Sequence, residues 1–139
     1  MKGDKTMQHT AAMNQYKQVG TMAAAENADP HALVQMLING AIERINAARM
    51  FMEQKNIAQK GESISRAISI IDGLRVSLDM KAGGEIAQNL EALYDYMQRQ
   101  LLKANLNDQP ELLDDVLALM NEIRTGWMAI PQDQRKKPE

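Results

Sequence analysis

The sequence contains no cysteine, which excludes disulfide bonds, thiolate nucleophiles and thiolate metal ligands. Aromatic residues are also scarce, with one tryptophan, three tyrosines and one phenylalanine in 139 residues. No stretch approaches the ~20 apolar residues that a membrane-spanning helix needs, and the charged N-terminal residues lack the apolar run of a signal peptide. These absences predict a soluble protein of a reducing compartment, and the cytoplasm is the expected location.

The chain also lacks a strong charge of either sign, because its formal net charge is −2. Its C-terminal basic run is only three residues long, Arg135–Lys137, and is typical of a solvated tail. Binding to nucleic acid usually requires a broader basic surface. The sequence therefore predicts no nucleic-acid partner.

A length of 139 residues with 45% hydrophobic content suits a single domain with a continuous core. Residues 1–12 are polar and without periodicity, so they are predicted to be a disordered tail. Residues 131–139 form a second polar tail. The domain is expected to span residues 13–130.

The clearest helical pattern lies in residues 83–105, after two glycines. Apolar residues recur there at spacings of three and four, which is typical of one side of a helix. The stripe consists of Ile86, Leu90, Leu93, Met97, Leu101 and Ala104. A helix of this length needs helical partners along its whole apolar side, and the rest of the sequence supplies three.

The first of these helices is predicted from Pro30 to about Lys55. Asp29 is its expected N-cap, and Pro30 suits the first helical position because it has no N–H to leave unsatisfied. Its apolar face is wider than a bundle helix needs, so another segment is expected to cover part of it. The face consists of Leu33, Val34, Leu37, Ile38, Ala41, Ile42, Ile45, Ala48 and Met52.

The second helix is predicted to open with a capping box formed by Asn56 and Gln59. Its core positions are expected to be Ile57, Ile64, Ala67, Ile68, Ile71, Leu74 and Leu78. The stretch Met80–Gly84 then reads as a loop that reverses the chain.

The fourth helix is predicted to open with another capping box, Asp108 with Glu111, and with Pro110 in the first turn. Its core positions are expected to be Leu113, Val116, Leu117, Met120, Ile123, Trp127 and Ile130. Because all connections are short, consecutive helices should be antiparallel. The predicted fold is an all-α, up-down-up-down four-helix bundle.

A shorter apolar pattern precedes the bundle, with Met13, Tyr16, Val19 and Met22 three residues apart. A helix this short is not stable alone in water. It is therefore expected to pack on the bundle as a short cap helix.

The sequence shows no catalytic or metal-binding pattern. The two histidines, His9 and His31, have no carboxylate at a helical spacing that would complete a metal site. Asp114 and Asp115 point about 100° apart on a helix, so they favour a solvated acidic turn over a catalytic pair. We therefore expect no enzyme activity, no metal and no cofactor.

Methionine is abundant, with 11 residues. Its flexible side chain can fill a core or repack around a partner. Core packing is the simpler interpretation for Met97 and Met120, whereas either role suits Met13, Met22 and Met36. Tyr94 is expected at the edge of the core and Trp127 is expected to anchor the end of the bundle.

Several motifs together resemble the flagellin export chaperone family, FliS. The most specific stretch begins Gly83-Gly84-Glu85-Ile86-Ala87-x-Asn89-Leu90, continues through Leu93-Tyr94-Asp95-Tyr96-Met97 and ends at Ala104-Asn105. The matching residues elsewhere are Tyr16, Val19, Pro30-His31-x-Leu33-Val34-x-Met36-Leu37, Gly40-Ala41, Ala67-x-x-Ile70-Ile71, Leu78-Asp79, Leu101 and Trp127. This chain departs from the family at Ile38 and Asn39, where the family often has an aromatic residue and an acid.

The resemblance implies a cytoplasmic chaperone that binds the disordered C-terminal region of flagellin and prevents premature polymerisation. It further implies delivery to the flagellar type III export apparatus, with the export gate and a flagellar regulatory protein as further partners. Tyr16 would belong to a removable N-terminal cap. The implied flagellin-binding and cap residues are Met13, Tyr16, Val19, Leu33, Met36, Leu37, Ile38, Gly40 and Ala41.

A different class of function is also compatible with the pattern. The wide apolar face could join two copies of the chain, giving a regulatory or structural dimer. The two interpretations differ in what covers the face, a client chain or a second copy. The resemblance favours the client, with the chaperone itself a monomer or weak homodimer.

Overall fold

A computed structural model describes residues 29–131 and Gln134. It contains four α-helices and, within those residues, no strand: α1 Pro30–Glu53, α2 Ile57–Val76, α3 Met80–Asn107 and α4 Pro110–Met128. The predicted disordered tail, the cap helix with Met13, Tyr16 and Val19, and nearly all of the C-terminal tail lie outside the described residues.

Both ends of α1 are capped by residues next to them in the sequence. Asp29 caps the start, since its carboxylate accepts a hydrogen bond of 2.7 Å from Ala32 N–H. At the other end, Lys55 adopts a left-handed conformation with φ 60°. Its N–H donates to Met52 C=O, and Asn56 N–H donates to Phe51 C=O, which is a Schellman motif with lysine in place of glycine.

The start of α2 explains why its predicted capping box is only half formed. Asn56 Oδ1 accepts a hydrogen bond of 3.2 Å from Gln59 N–H, as expected. The second bond of a capping box would run from Asn56 N–H to the Gln59 side chain. This N–H instead donates to Phe51 C=O, so the second bond is absent. At the other end, Ser77 Oγ donates to Leu74 C=O over 2.7 Å.

The prediction that Met80–Gly84 forms a loop is wrong. Asp79 Oδ1 accepts from Ala82 N–H at 2.9 Å, so α3 begins at Met80 with one helical turn. A kink follows at Gly84, whose φ of 51° and ψ of −127° are not helical. The preceding residue is glycine for a different reason, because a β-carbon at Gly83 would lie 2.8 Å from Ala87 Cβ.

The predicted capping box of α4 is also wrong. Asp108 ends α3 in a left-handed conformation, and its carboxylate accepts a hydrogen bond from Lys60 Nζ at 2.5 Å. The N-cap of α4 is Gln109, which makes no side-chain capping bond. Pro110 does lie in the first turn, as predicted, but at its first position and not its second.

The helices form a ring in which each packs against its neighbours in the chain and α1 packs against α4. Contacts at the two ends of the bundle show that α1 and α4 are antiparallel. His31, at the start of α1, meets Trp127 near the end of α4. Arg49, near the end of α1, bonds the Asp114 carboxylate near the start of α4 through Nε at 2.6 Å and Nη2 at 3.1 Å. Asp114 is therefore an inter-helix tie as well as part of an acidic turn.

The core confirms most predicted positions and corrects several. The fully buried large side chains are Ile38, Ile45, Ile64, Ile71, Leu74, Met97, Leu101, Leu113, Val116 and Met120. Ile57 and Ile86 were expected inside but are 73% and 72% exposed. In α3 the buried positions instead include Ala87 and Tyr94. They join Leu90, Met97, Leu101 and Ala104 in a regular alternation of three and four residues.

Candidate functional site

The residues that the resemblance assigns to α1 divide between its surface and its interior. Leu33, Met36 and Gly40 are partly exposed, and Gly40 faces α2, where a β-carbon would lie 3.5 Å from Ile70 Cδ1. The other three are buried in the core, namely Leu37, Ile38 and Ala41. Met13, Tyr16 and Val19 lie outside the described residues. The first half of α1 therefore offers a surface stripe directly backed by the core.

An apolar cavity of about 340 Å³ opens at the end of the bundle where the described chain begins. It lies between the first turn of α1, the α2–α3 connection, the first half of α3 and the end of α4. Its lining is mostly apolar and consists of Pro30, His31, Val34, Ser77, Leu78, Asp79, Gly83, Ile86, Ala87, Leu90, Tyr94, Trp127, Ile130 and Gln134. The exposed Ile86 gives the cavity an apolar rim.

Two aromatic rings form a tie beside this cavity. His31 and Trp127 are stacked, with ring centroids 4.8 Å apart and an interplanar angle of 12°. Each also bonds the main chain of the other: His31 Nε2 donates to Trp127 C=O at 2.7 Å, and Trp127 Nε1 donates to His31 C=O at 2.9 Å. The pair fixes the start of α1 against the end of α4.

A second, more open groove of about 780 Å³ follows the α1–α4 seam. Amide, hydroxyl and methionine side chains line it together with one guanidinium group. Its lining residues are His31, Ala32, Gln35, Met36, Asn39, Arg124, Thr125 and Met128. His31 thus contributes to both spaces.

The opposite end of the bundle is held by a buried lysine. The Lys60 side chain is 7% exposed, and its ammonium donates to Asn105 C=O at 3.1 Å as well as to Asp108. A cavity of about 480 Å³ lies next to it, with Phe51, Met52 and Pro110 among its walls. Since the ammonium already has a carboxylate and a carbonyl as partners, Lys60 serves to join α2 to α3.

Arg75 makes the corresponding tie near the cavity end of the α2–α3 pair. It bonds Glu91, Asp95 and Gln98. The hydrogen bond from Arg75 lowers the pKa of Glu91, and the same bond raises the pKa of Arg75. This cluster keeps a charged network on the outer face, away from the apolar lining of the cavity.

Residues 29–131 contain neither a cluster of metal ligands nor a membrane-spanning helix. No three histidine, aspartate or glutamate side chains there come together in a way that could hold a metal ion. None of the four described helices is long and apolar enough to cross a membrane.

Residues 12–134 match the family described as Flagellar protein FliS. The chain is 47% identical over 119 residues to the flagellar secretion chaperone FliSB of Pseudomonas aeruginosa, covering 86% of this chain and 94% of the relative. This chain belongs to the FliS family. Its identity to the FliS flagellar secretion chaperone of Vibrio cholerae is 43% over 122 residues, covering 88% of this chain and 90% of that protein. For Salmonella typhimurium FliS the identity is 43% over 125 residues, covering 89% and 93%.

Membership in the FliS family gives the chain its general role. It is a flagellar secretion chaperone, a helical-bundle protein of flagellum biogenesis and protein transport. FliS is a chaperone family, in agreement with the absence of a catalytic pattern in the sequence.

Three features of this FliS chain differ from the sequence-based expectations. His31 stacks on Trp127, a contact that neither the search for metal ligands nor the family motif predicts. Tyr94 was placed at the edge of the core, but it is 2% exposed and lines the cavity. The α1–α4 groove joins residues 31–39 to residues 124–128, which no local pattern connects. For Tyr94 a signal existed, because the successive spacings from Ala87 to Leu90, Tyr94 and Met97 are three, four and three residues.

Tyr94 makes the stability of the bundle sensitive to alkaline pH. Its burial raises the pKa of Tyr94 to about 12, whereas an unfolded tyrosine ionises near ~10. Between these values the unfolded chain loses the proton and the folded chain keeps it, so stability falls as pH rises from about 10 to about 12. Below pH ~10 both states are protonated and the contribution is fully present.

The test compares urea unfolding of the wild type and Tyr94→Phe at pH 9 and pH 11. The phenylalanine variant has no ionisable group at this position. Its free energy of unfolding, relative to that of the wild type, should therefore be about 1 kcal/mol higher at pH 11 than at pH 9. The other tyrosines are common to both proteins and cancel. If the difference in unfolding free energy between the two proteins is the same at pH 9 and pH 11, the raised pKa of Tyr94 is wrong.

Proposed function

We propose that this FliS protein binds the disordered C-terminal region of flagellin in the cytoplasm, prevents its premature polymerisation and delivers it to the flagellar type III export apparatus. The observation that carries the proposal is the apolar cavity at the start of α1. Its walls and rim expose hydrophobic side chains such as Leu78, Ile86 and Leu90 without a hydrophilic cover among the described residues. A chaperone of an export pathway needs such a surface for an unfolded client.

The α1 residues named by the resemblance fit this proposal in two ways. Leu33 and Met36 are partly exposed, while Gly40 packs against α2 and the buried Leu37, Ile38 and Ala41 belong to the core behind them. A flexible client loses chain entropy on binding and recovers free energy by burying apolar area. Binding should therefore show a negative heat-capacity change and a favourable enthalpy opposed by entropy.

We further propose that the segment before α1 competes with the client. Pro30 and His31 line the cavity, and the segment that precedes Asp29 in the sequence is 28 residues long. It carries the apolar residues Met13, Tyr16 and Val19. If they cover the cavity in the free protein, the apparent affinity for flagellin is reduced by the fraction of time that the cavity is closed.

The binding experiment is titration calorimetry of the full chain with a peptide covering the C-terminal region of flagellin from the same organism. A 1:1 complex is expected. Stable self-association without peptide binding would instead favour the dimer interpretation, in which a second copy covers the apolar face.

Tyr16→Ala tests the cap. If Tyr16 covers the cavity, the melting midpoint should fall while affinity for the peptide holds or rises; if Tyr16 contacts the client directly, both should fall. Tyr96→Ala is the matched control for stability, because the Tyr96 side chain lies on α3 and is 41% exposed. The cap proposal is wrong if Tyr16→Ala changes neither the midpoint nor the affinity.

A further inference from the structure

The groove along the α1–α4 seam has a charge that nothing in the described chain balances. Among its lining residues Arg124 is the only permanent charge, and no carboxylate contributes to the lining. Arg124 bonds two neutral groups, Asn39 Oδ1 at 3.4 Å and Asn121 Oδ1 at 2.7 Å. Arg49, Arg66, Arg75 and Arg99 are each paired with a carboxylate, whereas Arg124, like Arg44, has none among the described residues.

Next to this guanidinium is an acceptor without a donor. Gln35 Nε2 donates to Asn39 Oδ1 over 3.3 Å, but Gln35 Oε1 is buried and has no hydrogen-bond partner. Asn39 Oδ1 therefore accepts from both Arg124 and Gln35, and in this arrangement the Nε2 of Gln35, not its Oε1, is the group that is bonded. A buried acceptor left in this state lowers stability, so a ligand N–H that reached it would be favoured.

Methionine flanks the polar centre of the groove on both helices. Met36 lies on α1, and Met128, at the end of α4, is 59% exposed. Methionine side chains adapt their shape to different apolar partners. The groove therefore combines a guanidinium that has no carboxylate partner among the described residues, one unpaired acceptor and two adaptable methionine side chains.

We propose that this groove binds an acidic side chain of the flagellin C-terminal region. The carboxylate would bond the Arg124 guanidinium, a main-chain N–H of the same segment would donate to Gln35 Oε1 once the carboxamide turns outwards, and neighbouring apolar residues would lie between Met36 and Met128. This inference rests on the proposed function, of which it specifies one contact. Arg124 is thus a specificity-determining residue for the client.

Charge complementarity favours a peptide carboxylate over a polyanion. A phosphate backbone would need several cations, but the groove offers one and the whole chain has a net charge of −2. One carboxylate on one guanidinium matches the available charge, and the planar fork of arginine suits the two carboxylate oxygens.

The first test compares Arg124→Gln with Arg99→Gln by calorimetry, using the full chain and the flagellin C-terminal peptide. Both variants lose the same charge, but Arg99 lies on α3 with its side chain 68% exposed and paired with Asp95. Arg124→Gln should weaken binding about fivefold and reduce its salt dependence, whereas Arg99→Gln should leave the affinity within about twofold.

Two further measurements separate a client contact from a structural role. Gln35→Leu removes the unpaired acceptor, so its melting midpoint should hold or rise while peptide affinity falls, a combination that mere damage to the fold would not give. The second measurement uses a peptide in which Asp and Glu are replaced by Asn and Gln. The wild type should bind this neutralised peptide more weakly than the unaltered peptide. Arg124→Gln should bind the two peptides with equal affinity.

These measurements distinguish failure of the Arg124 contact from failure of the proposed function. If the wild type does not bind the peptide at all, the proposed function and this contact both fail. If the wild type binds but Arg124→Gln behaves like Arg99→Gln, or the neutralised peptide binds the wild type unchanged, the flagellin function stands and the Arg124 contact is wrong.

Discussion

Replacing Ile71 with alanine should lower the free energy of unfolding by about 2 to 5 kcal/mol, whereas Ile86→Ala should change it by less than about 0.5 kcal/mol. The two substitutions remove the same atoms. Ile71 lies in the centre of the core with no exposed surface, while Ile86 is 72% exposed at the rim of the cavity. Only the first substitution creates a cavity in close-packed surroundings.

Urea unfolding followed by circular dichroism measures both variants on the same scale. Equal losses of stability would mean that the faces of α3 are assigned wrongly and that Ile86 belongs inside. The comparison also bears on the proposed client site, because an exposed Ile86 can be altered for binding studies without unfolding the protein.

Trp127→Ala is expected to cost about 3 kcal/mol, the second largest effect. It removes the stacking on His31, the hydrogen bond from Nε1 to His31 C=O and the apolar contact with the core. Trp127→Phe keeps an aromatic ring but loses the N–H donor and should cost about 1 kcal/mol. The difference between the two variants separates ring packing from hydrogen bonding.

Met128→Ala is the control, because Met128 is the next residue and is 59% exposed. It should leave the thermal midpoint nearly unchanged. Should Trp127→Ala prove as mild as Met128→Ala, the stacked pair would not be what holds the end of α4 to the start of α1.

The helices could be predicted because their signals are local. Asp29 and Asn56 cap α1 and α2 as expected, since each bonds an N–H three residues ahead. The same reasoning failed at Asp108. Its spacing from Glu111 is that of a capping box, but its carboxylate bonds Lys60, 48 residues away in the chain, and does not cap α4. A distant partner of this kind leaves no trace in local spacing.

The assignment of Ile86 to the core failed for a different reason. Hydrophobicity favours isoleucine over its neighbour Ala87, but adjacent helical residues point about 100° apart and only one can face inwards. Ala87 is the one that faces inwards, because it lies on the same side of α3 as Leu90, Tyr94 and Met97, three, seven and ten residues further on.

The site was partly accessible from sequence. The sequence predicts a wide apolar face on α1, and of the residues that the family motifs assign to it Leu33 and Met36 are partly exposed. That these residues bind a client stays a prediction. The contact of His31 with Trp127, 96 residues apart, was not predictable from spacing. Nor was the unpaired acceptor of Gln35, because it depends on the side-chain contacts around Asn39.

The two glycines at the start of α3 are not interchangeable, and this limits how the chain can vary in length. Gly84 supplies a backbone conformation that other residues rarely adopt, whereas Gly83 leaves room for Ala87. Inserting or deleting one residue between this pair and Ala87 would turn the rest of α3 by about 100°. Tyr94 and Met97 would then leave the core together, so length changes between FliS sequences should be accommodated before the glycine pair or after α3, and not between them.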